Sequence, residues 1–190
     1  MDKILIVSSN DKITAAITRL LKDTFPQCTI SAASNSNAGK KAVVEKNFDA
    51  VLINCPLSDE YGFDLAELTT RDTMASCIMI VKSDNAEDVI EQVEDYGIMV
   101  IPKPISKSTF YHNLKFVSAS RKQLLGLQTE NIKLHKKLEE IRIINRAKFA
   151  LMQYLNFTEE QAHKYLEKQA MDTRVPKIEV AMKIIKMYDY

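Results

Sequence analysis

Five short apolar runs punctuate the first hundred residues: Ile4-Leu5-Ile6-Val7, Cys28-Thr29-Ile30, Ala50-Val51-Leu52-Ile53, Cys77-Ile78-Met79-Ile80-Val81 and Ile98-Met99-Val100-Ile101. Runs that are apolar throughout are expected of strands covered on both faces of a parallel sheet. Between them the apolar positions shift to helical spacing, with Ile13, Ile17, Leu20 and Leu21 in one interval and Val89, Ile90 and Val93 in another. Alternating strands and helices predict a doubly wound α/β domain around a five-stranded parallel sheet, with its chemistry at the carboxyl ends of the strands.

After Ser106 no proline occurs until Pro176, and residues from about 108 to 154 are rich in helix formers. Leu127, Leu134 and Ile141 occupy one position of a seven-residue repeat, and Val117, Leu124 and Leu138 occupy its partner position, which Asn131 and Asn145 share. This spacing predicts a long coiled-coil helix with a dimer seam at Val117, Leu124, Leu127, Asn131, Leu134, Leu138 and Ile141. Asn131 would set its register. The other reading of the stripe is an amphipathic helix packed on its own domain. Past it, Asn156 suits a left-handed helix stop and Thr158-x-x-Gln161 has the spacing of a capping box. Two further apolar faces follow: Ala162, Tyr165, Leu166 and Ala170, then Ile178, Ala181 and Ile185 behind Pro176. With the end of the long helix they predict a small three-helix all-α module. The expected domains are 1–115, a linker helix over 116–145 and a module over 130–190 that overlaps it.

A length of 190 residues accommodates a full-sized domain plus a smaller one. The three cysteines are widely spaced in apolar segments, which predicts buried thiols and no disulfide framework. No stretch reaches the ~18–20 apolar residues of a membrane span, and the start has no signal-peptide layout. These features point to a cytoplasmic protein without membrane contact. His112, His135 and His163 lack metal-ligand spacing, so no metal and no cofactor are expected. Charge changes the picture more. Residues 1–115 carry 12 basic against 16 acidic side chains, whereas residues 116–190 carry 14 against 9. A basic C-terminal third suggests a polyanion as partner.

The strand ends hold the candidate chemistry. Ser8 and Ser9 follow the first run, Asn54 the third and Lys103-Pro104 the fifth, while Val81 closes the fourth; Gly62 lies eight residues after Asn54. Over roughly residues 1–115 this arrangement resembles a response-regulator receiver domain, which implies a flavodoxin-like fold. In that family an acidic pair after the first strand holds Mg²⁺, an Asp after the third accepts phosphate, and a Thr or Ser and a Lys read it. Here Ser8 and Ser9 stand at the acidic pair, Asn54 at the acceptor and Val81 at the hydroxyl; only Lys103 survives, and the family's proline is displaced to Pro56. Serine hydroxyls are poor ligands for a hard cation, and a neutral amide is a weak nucleophile. The domain therefore reads as a pseudo-receiver, either a scaffold supporting a dimer or a binder of a regulatory protein or ligand. Asp11 is expected to cap the first helix, with Asp59 the other acid near the site. Lys103 is expected to neutralise a carboxylate or bond the Asn54 amide oxygen.

Ala147-Lys148-x-x-Leu151-Met152, Thr158-Glu159-x-x-Ala162-x-x-x-Leu166 and Ala170-Met171-Asp172-x-Arg174 together resemble the ANTAR domain of AmiR- and NasR-type transcription antitermination regulators, over roughly residues 130–187. The resemblance implies binding to an RNA hairpin in an mRNA leader, which stabilises an antiterminator, and dimerisation through a coiled coil. Its apolar residues are expected in the core. Arg146, Lys148, Lys164, Lys168, Gln169, Arg174 and Lys177 are the candidate RNA contacts, with Lys148 and Arg174 foremost because the motif contains them. Tyr165 is expected to pack rather than to stack on a base. The competing readings are a DNA-binding response-regulator transcription factor and a sequestering scaffold. With no nucleophile–base pair, phosphate loop or metal cluster in the sequence, no enzyme is expected.

Overall fold

The computed structural model describes residues 1–188. In chain order it contains β1 (Lys3–Val7), α1 (Asp11–Thr24), β2 (Thr29–Ala33), α2 (Ser36–Glu45), β3 (Ala50–Asn54), α3 (Phe63–Asp72), β4 (Ser76–Lys82), α4 (Ala86–Val93), β5 (Met99–Lys103), α5 (Lys107–Leu155), α6 (Glu159–Thr173) and α7 (Lys177–Tyr188). The strands pair in parallel in the order β2-β1-β3-β4-β5. The chain divides into two compact units, Met1–Gln123 and Leu124–Tyr190.

In the first unit strand alternation sends side chains to two separate cores. Leu5, Val7, Val51 and Ile53 face α2, α3 and α4 through Val43, Leu65 and Val89. Ile4, Ile6, Leu52 and Ile80 face α1 and α5 through Ile17, Leu21, Phe110 and Leu114. The sheet is therefore apolar on both sides, as the unbroken runs predict. Chain order reverses between β1 and β3, which opens a crevice at their carboxyl ends. Gly62 ends the loop after β3 at φ 121°, and a Cβ there would lie 3.0 Å from the Ile53 Cγ2 and 3.1 Å from the Cys55 Sγ. Glycine alone meets both demands.

Two local expectations are corrected. Asn10, not Asp11, caps α1: its Oδ1 accepts the amides of Lys12 at 3.0 Å and Ile13 at 3.2 Å. Asp11 is the first helical residue, favourably placed by the helix dipole. Val117 does not join a seam; it is 8% exposed in the core with Phe110 and Leu114. Arg121, one turn later, donates from Nη2 to the Asp49 Oδ1 at 2.8 Å and from Nε to the Asp49 carbonyl at 2.9 Å. The other carboxylate oxygen of Asp49 accepts the amides of Asp2 and Lys3.

In the second unit the end of α5 meets α6 and α7 around Ala147, Leu151, Ala162, Leu166, Val180, Ala181 and Ile184. Asn156 stops α5 at φ 53°. Thr158 and Gln161 form the reciprocal capping box that starts α6. Tyr165 meets Phe157 edge-on, with ring centroids 5.8 Å apart, and stays 37% exposed.

Burial opposes ionisation of Asp49, but the amides of Asp2 and Lys3 and the charge of Arg121 outweigh it and hold the carboxyl below its ordinary range. Asp49→Asn is expected to cost about 1–3 kcal/mol at neutral pH, because charged hydrogen bonds are lost and Arg121 is left unpaired. A depressed folded pKa contributes stability above the unfolded value and loses it as pH falls through the folded one. Denaturation of variant and wild type should therefore converge under acid. Equal stability at neutral pH would refute the anchor.

Candidate functional site

At the crevice β1 delivers Ser8 and β3 delivers Asn54, both buried polar residues in otherwise apolar strands. Asn54 Nδ2 donates to the Ser8 Oγ at 3.0 Å. That oxygen also accepts the Asn10 amide at 3.2 Å, and the hydroxyl donates to the Asn10 carbonyl at 3.3 Å. Asn54 Oδ1 is buried without a hydrogen-bond partner among the described residues. Ser9 is exposed beside Ser8, and Val81 is fully buried in the apolar core of the opposite face, where it offers no hydrogen bond.

Lys103 corrects an expectation. Its Nζ donates to the Cys55 carbonyl at 2.7 Å and, among the described residues, meets neither a carboxylate nor the Asn54 oxygen. Burial lowers its pKa, and the charge of Lys82 adds to that effect. Lys82 escaped the sequence reading; pairing of Lys82 with Lys103 across β4 and β5 reveals it. The remaining acids are used elsewhere. Asp59 accepts the Ser36 amide at 2.8 Å and the Asn37 amide at 3.0 Å, which hold its carboxyl below the usual range and cap the start of α2. Glu60 bonds the Ser36 hydroxyl and pairs with Lys40 at 3.3 Å. Burial in the core pushes the Cys55 thiol up to about 12, so it does not serve as a thiolate nucleophile. Among the described residues no group of three His, Cys, Asp or Glu side chains is arranged to hold a metal ion.

The candidate nucleic-acid contacts divide by what holds them. Lys148 lies at 2.9 Å from Glu159, with its side chain only 16% exposed, and ties α5 to α6. Lys177 lies 2.7 Å from Glu167, which also meets His163 at 3.1 Å, and Lys164 lies 2.6 Å from Glu160. Gln169 is half-buried, while Arg146, Lys168 and Arg174 are exposed. Arg174 ends α6 in the left-handed region, at φ 53° and ψ 38°, with its amide donating back to the last turn. A left-handed residue with a Cβ is uncommon and costs of order 1 kcal/mol. Phe149, missed by the sequence reading, is exposed and lines a pocket of about 180 Å³ with Asn145, Lys148, Met152 and Glu159. Of the expected seam, Leu124, Leu127, Leu134, Leu138 and Ile141 are each more than half exposed, and Asn131 is exposed among them.

Comparison with known proteins places these features in context. The response regulator receiver domain model matches residues 4–115, and the ANTAR domain model matches residues 133–185. The transcriptional regulatory protein PdtaR of Mycobacterium tuberculosis is 23% identical over 185 residues, 97% of this chain and 89% of that protein. The aliphatic amidase regulator of Pseudomonas aeruginosa is 27% identical over 127 residues, 67% of this chain and 63% of its own length. Among solved structures, a two-component response regulator from Clostridium difficile superimposes with a TM-score of 0.56 at 18% identity, covering 63% of this chain and 97% of the other. A receiver domain protein from Clostridium thermocellum gives 0.58 at 20%, covering 66% and 99%. These likenesses establish the fold of the first unit. No helix among the described residues is long and apolar enough to cross a membrane.

The crevice offers Mg²⁺ hydroxyl and amide groups where the cation requires carboxylates, and offers a phosphodonor an amide where it requires a carboxylate. Incubation with a small phosphodonor and Mg²⁺ is expected to leave the wild type unmodified by mass spectrometry. Asn54→Asp alone should add little, because Ser8 and Ser9 still supply no metal ligand. Stoichiometric, acid-labile phosphate on the wild type would overturn this chemistry.

Proposed function

The chain belongs to the response regulator receiver domain family and carries an ANTAR domain, and on that premise we propose that it is an RNA-binding antitermination regulator whose receiver-like domain works without phosphorylation. The family is regulatory rather than enzymatic. The observation that best supports RNA binding is Arg174, a motif residue held exposed at a left-handed helix stop in the basic third of the chain. Arg presents a planar fork to phosphates or to the edges of a splayed loop base, and single-stranded loops are where RNA sequence can be read. Lys168, exposed earlier on α6, is a second candidate contact, and Arg146 on α5 is a third exposed basic residue of the module. Lys148 and Lys177 tie helices together through Glu159 and Glu167, whereas Lys164 pairs with Glu160 on the exposed face of α6 itself. The proposed target is a hairpin in an mRNA leader, stabilised so that a competing terminator does not form.

Dimerisation belongs to the same proposal. Leu124, Leu127, Leu134, Leu138 and Ile141 repeat every seven residues and remain exposed in the single chain, as a seam awaiting its partner would. The proposed organisation is a pseudo-receiver unit, a coiled-coil helix and an ANTAR module, acting in the cytoplasm. Light scattering should give about twice the 21.6 kDa chain mass. Charges placed at both Leu134 and Leu138 should yield monomers, since each leucine forfeits about 1.5–3 kcal/mol of burial. A wild type that stays monomeric at high concentration would refute the seam.

Phosphate contacts release counterions, so affinity for a target hairpin should fall steeply with salt. Arg174→Ala should weaken hairpin binding by about 1–3 kcal/mol while leaving helix content intact. Leu166→Ala, by contrast, should destabilise the module by about 2–5 kcal/mol, because Leu166 is fully buried. Unchanged hairpin affinity in a folded Arg174→Ala variant would sink the site assignment. Preference for duplex DNA over hairpin RNA at matched ionic strength would replace the antiterminator reading with a DNA-binding one.

A further inference from the structure

We propose that Phe149 forms the floor of a pocket for one unstacked base of an RNA loop, on the α5 face beside the start of α6. The inference rests on the reading of this chain as an RNA binder, and it names a base-reading site separate from Arg174. Three observations carry it. The first is an aromatic ring left in water. Phe149 lies two positions from Ala147 and two from Leu151, about 200° round the helix from both. Those residues are buried with α6 and α7, so Phe149 is turned away from the module's core and stays 67% exposed. A phenylalanine stabilises a fold by being buried, and this one is not.

The second is the cavity beside that ring. Asn145, Lys148, Phe149 and Met152 stand three or four residues apart and so share one face of α5. With Glu159 at the start of α6 they line a pocket of about 180 Å³. That is below the ~300–1,000 Å³ of sites for drug-sized ligands and suits a single planar ring system. Lys148 and Glu159, 2.9 Å apart, cancel each other's charge, so the pocket favours a neutral ring over a phosphate. The ammonium has further N–H donors, the carboxylate has a second oxygen, and the Asn145 amide offers both roles. A nucleobase presents the matching set, a flat face for Phe149 and an edge of donors and acceptors.

The third is the course of the heptad stripe. It is apolar as far as Ile141, and its next two positions hold Asn145 and Lys148. Lys148 already pairs with Glu159 of its own chain. Polar residues at such positions weaken a helix–helix seam, so a second copy is a poorer occupant than a base. The surrounding segment supplies the field for RNA, with 14 basic against 9 acidic side chains over residues 116–190. Glu159 opens α6 and Arg174 caps it, about 22 Å away at 1.5 Å per residue, which makes the two contacts independent.

The test uses the full-length chain and a hairpin pool with a fixed stem and a randomised loop. The hairpin enriched by the wild type is remade with an abasic site at each loop position in turn. Phe149→Ala should bind the intact hairpin about tenfold more weakly, within the range for stacking of one base on an aromatic ring. One abasic position should cost the wild type a similar factor and cost Phe149→Ala little more, because both changes remove the same contact. Phe149→Trp should retain affinity, and Phe149→Leu should not. Circular dichroism and light scattering should match the wild type for all three variants, since a ring outside the core supports neither fold nor seam. Undiminished binding by folded Phe149→Ala, or a loss with no coupled loop position, overturns the proposal. A changed mass for Phe149→Ala overturns it too and gives the pocket to a second copy. The two readings fail separately. A wild type that enriches no hairpin defeats the RNA reading itself. A wild type that enriches one, with Phe149→Ala its equal, defeats only this site.

Discussion

The first unit depends on one constraint: its central strands β1, β3 and β4 are apolar on both faces, so polar groups there survive only where those strands end. At such an edge, half in and half out of water, a polar side chain needs a partner or a ligand. A cluster of carboxylates there repels itself and needs a cation to coexist. Ser8 and Asn54 remove that demand. They form a neutral pair that holds together through the Ser8 hydroxyl, fixed in turn by the backbone of Asn10. Exchange of charge for hydroxyl and amide therefore leaves a stable edge that needs no metal for cohesion. It also leaves the edge locally basic, since Lys82 and Lys103 stand side by side on β4 and β5 while Ser8 and Ser9 follow β1.

The same sheet explains why α5 has divided loyalties. Phe110, Leu114 and Val117 face the first unit, with Arg121 clamped to Asp49 at the end of that contact. Ala147 and Leu151 face α6 and α7. The heptad leucines between these stretches have neither unit to cover them. An isolated helix in water gains little from propensity, and most helical stability comes from packing an amphipathic face. A second copy of the stripe is the simplest cover, and the polar Asn131 within it favours a defined register over indiscriminate association.

The fold was legible because unbroken apolar runs and helical spacing both follow directly from burial. All five strands fall on their runs, and Asn156 and Thr158 end and start helices where their side chains suggest. Legibility failed where a decision rests on three-dimensional pairing. Val117 fits the heptad as well as Leu124 does, and only its burial in the cluster that holds Phe110 and Leu114 assigns it to the core. Asn10 and Asp11 are both good caps in sequence; which side chain reaches the amides is settled by backbone conformation. Lys148 looked like a free cation because Glu159 lies eleven positions away, beyond any local rule. Lys82 was invisible for the same reason, since its significance comes from Lys103 on the neighbouring strand.

Regulation without phosphorylation has a thermodynamic requirement. A signal shifts a conformational equilibrium only by the difference in its affinity for the two states. A covalent phosphate is held regardless of that difference, whereas a reversible ligand or partner is not and acts only while present. A receiver-like domain regulated in that way should therefore track the concentration of its effector, with a response set by affinity rather than by the lifetime of a phosphoryl bond. The β3–α3 loop is the natural element to test for two states. Asp59 and Glu60 tie it to the start of α2, and Gly62 with the Cys55 carbonyl ties it to the crevice itself. A ligand that draws Lys103 away from the Cys55 carbonyl acts on that loop directly.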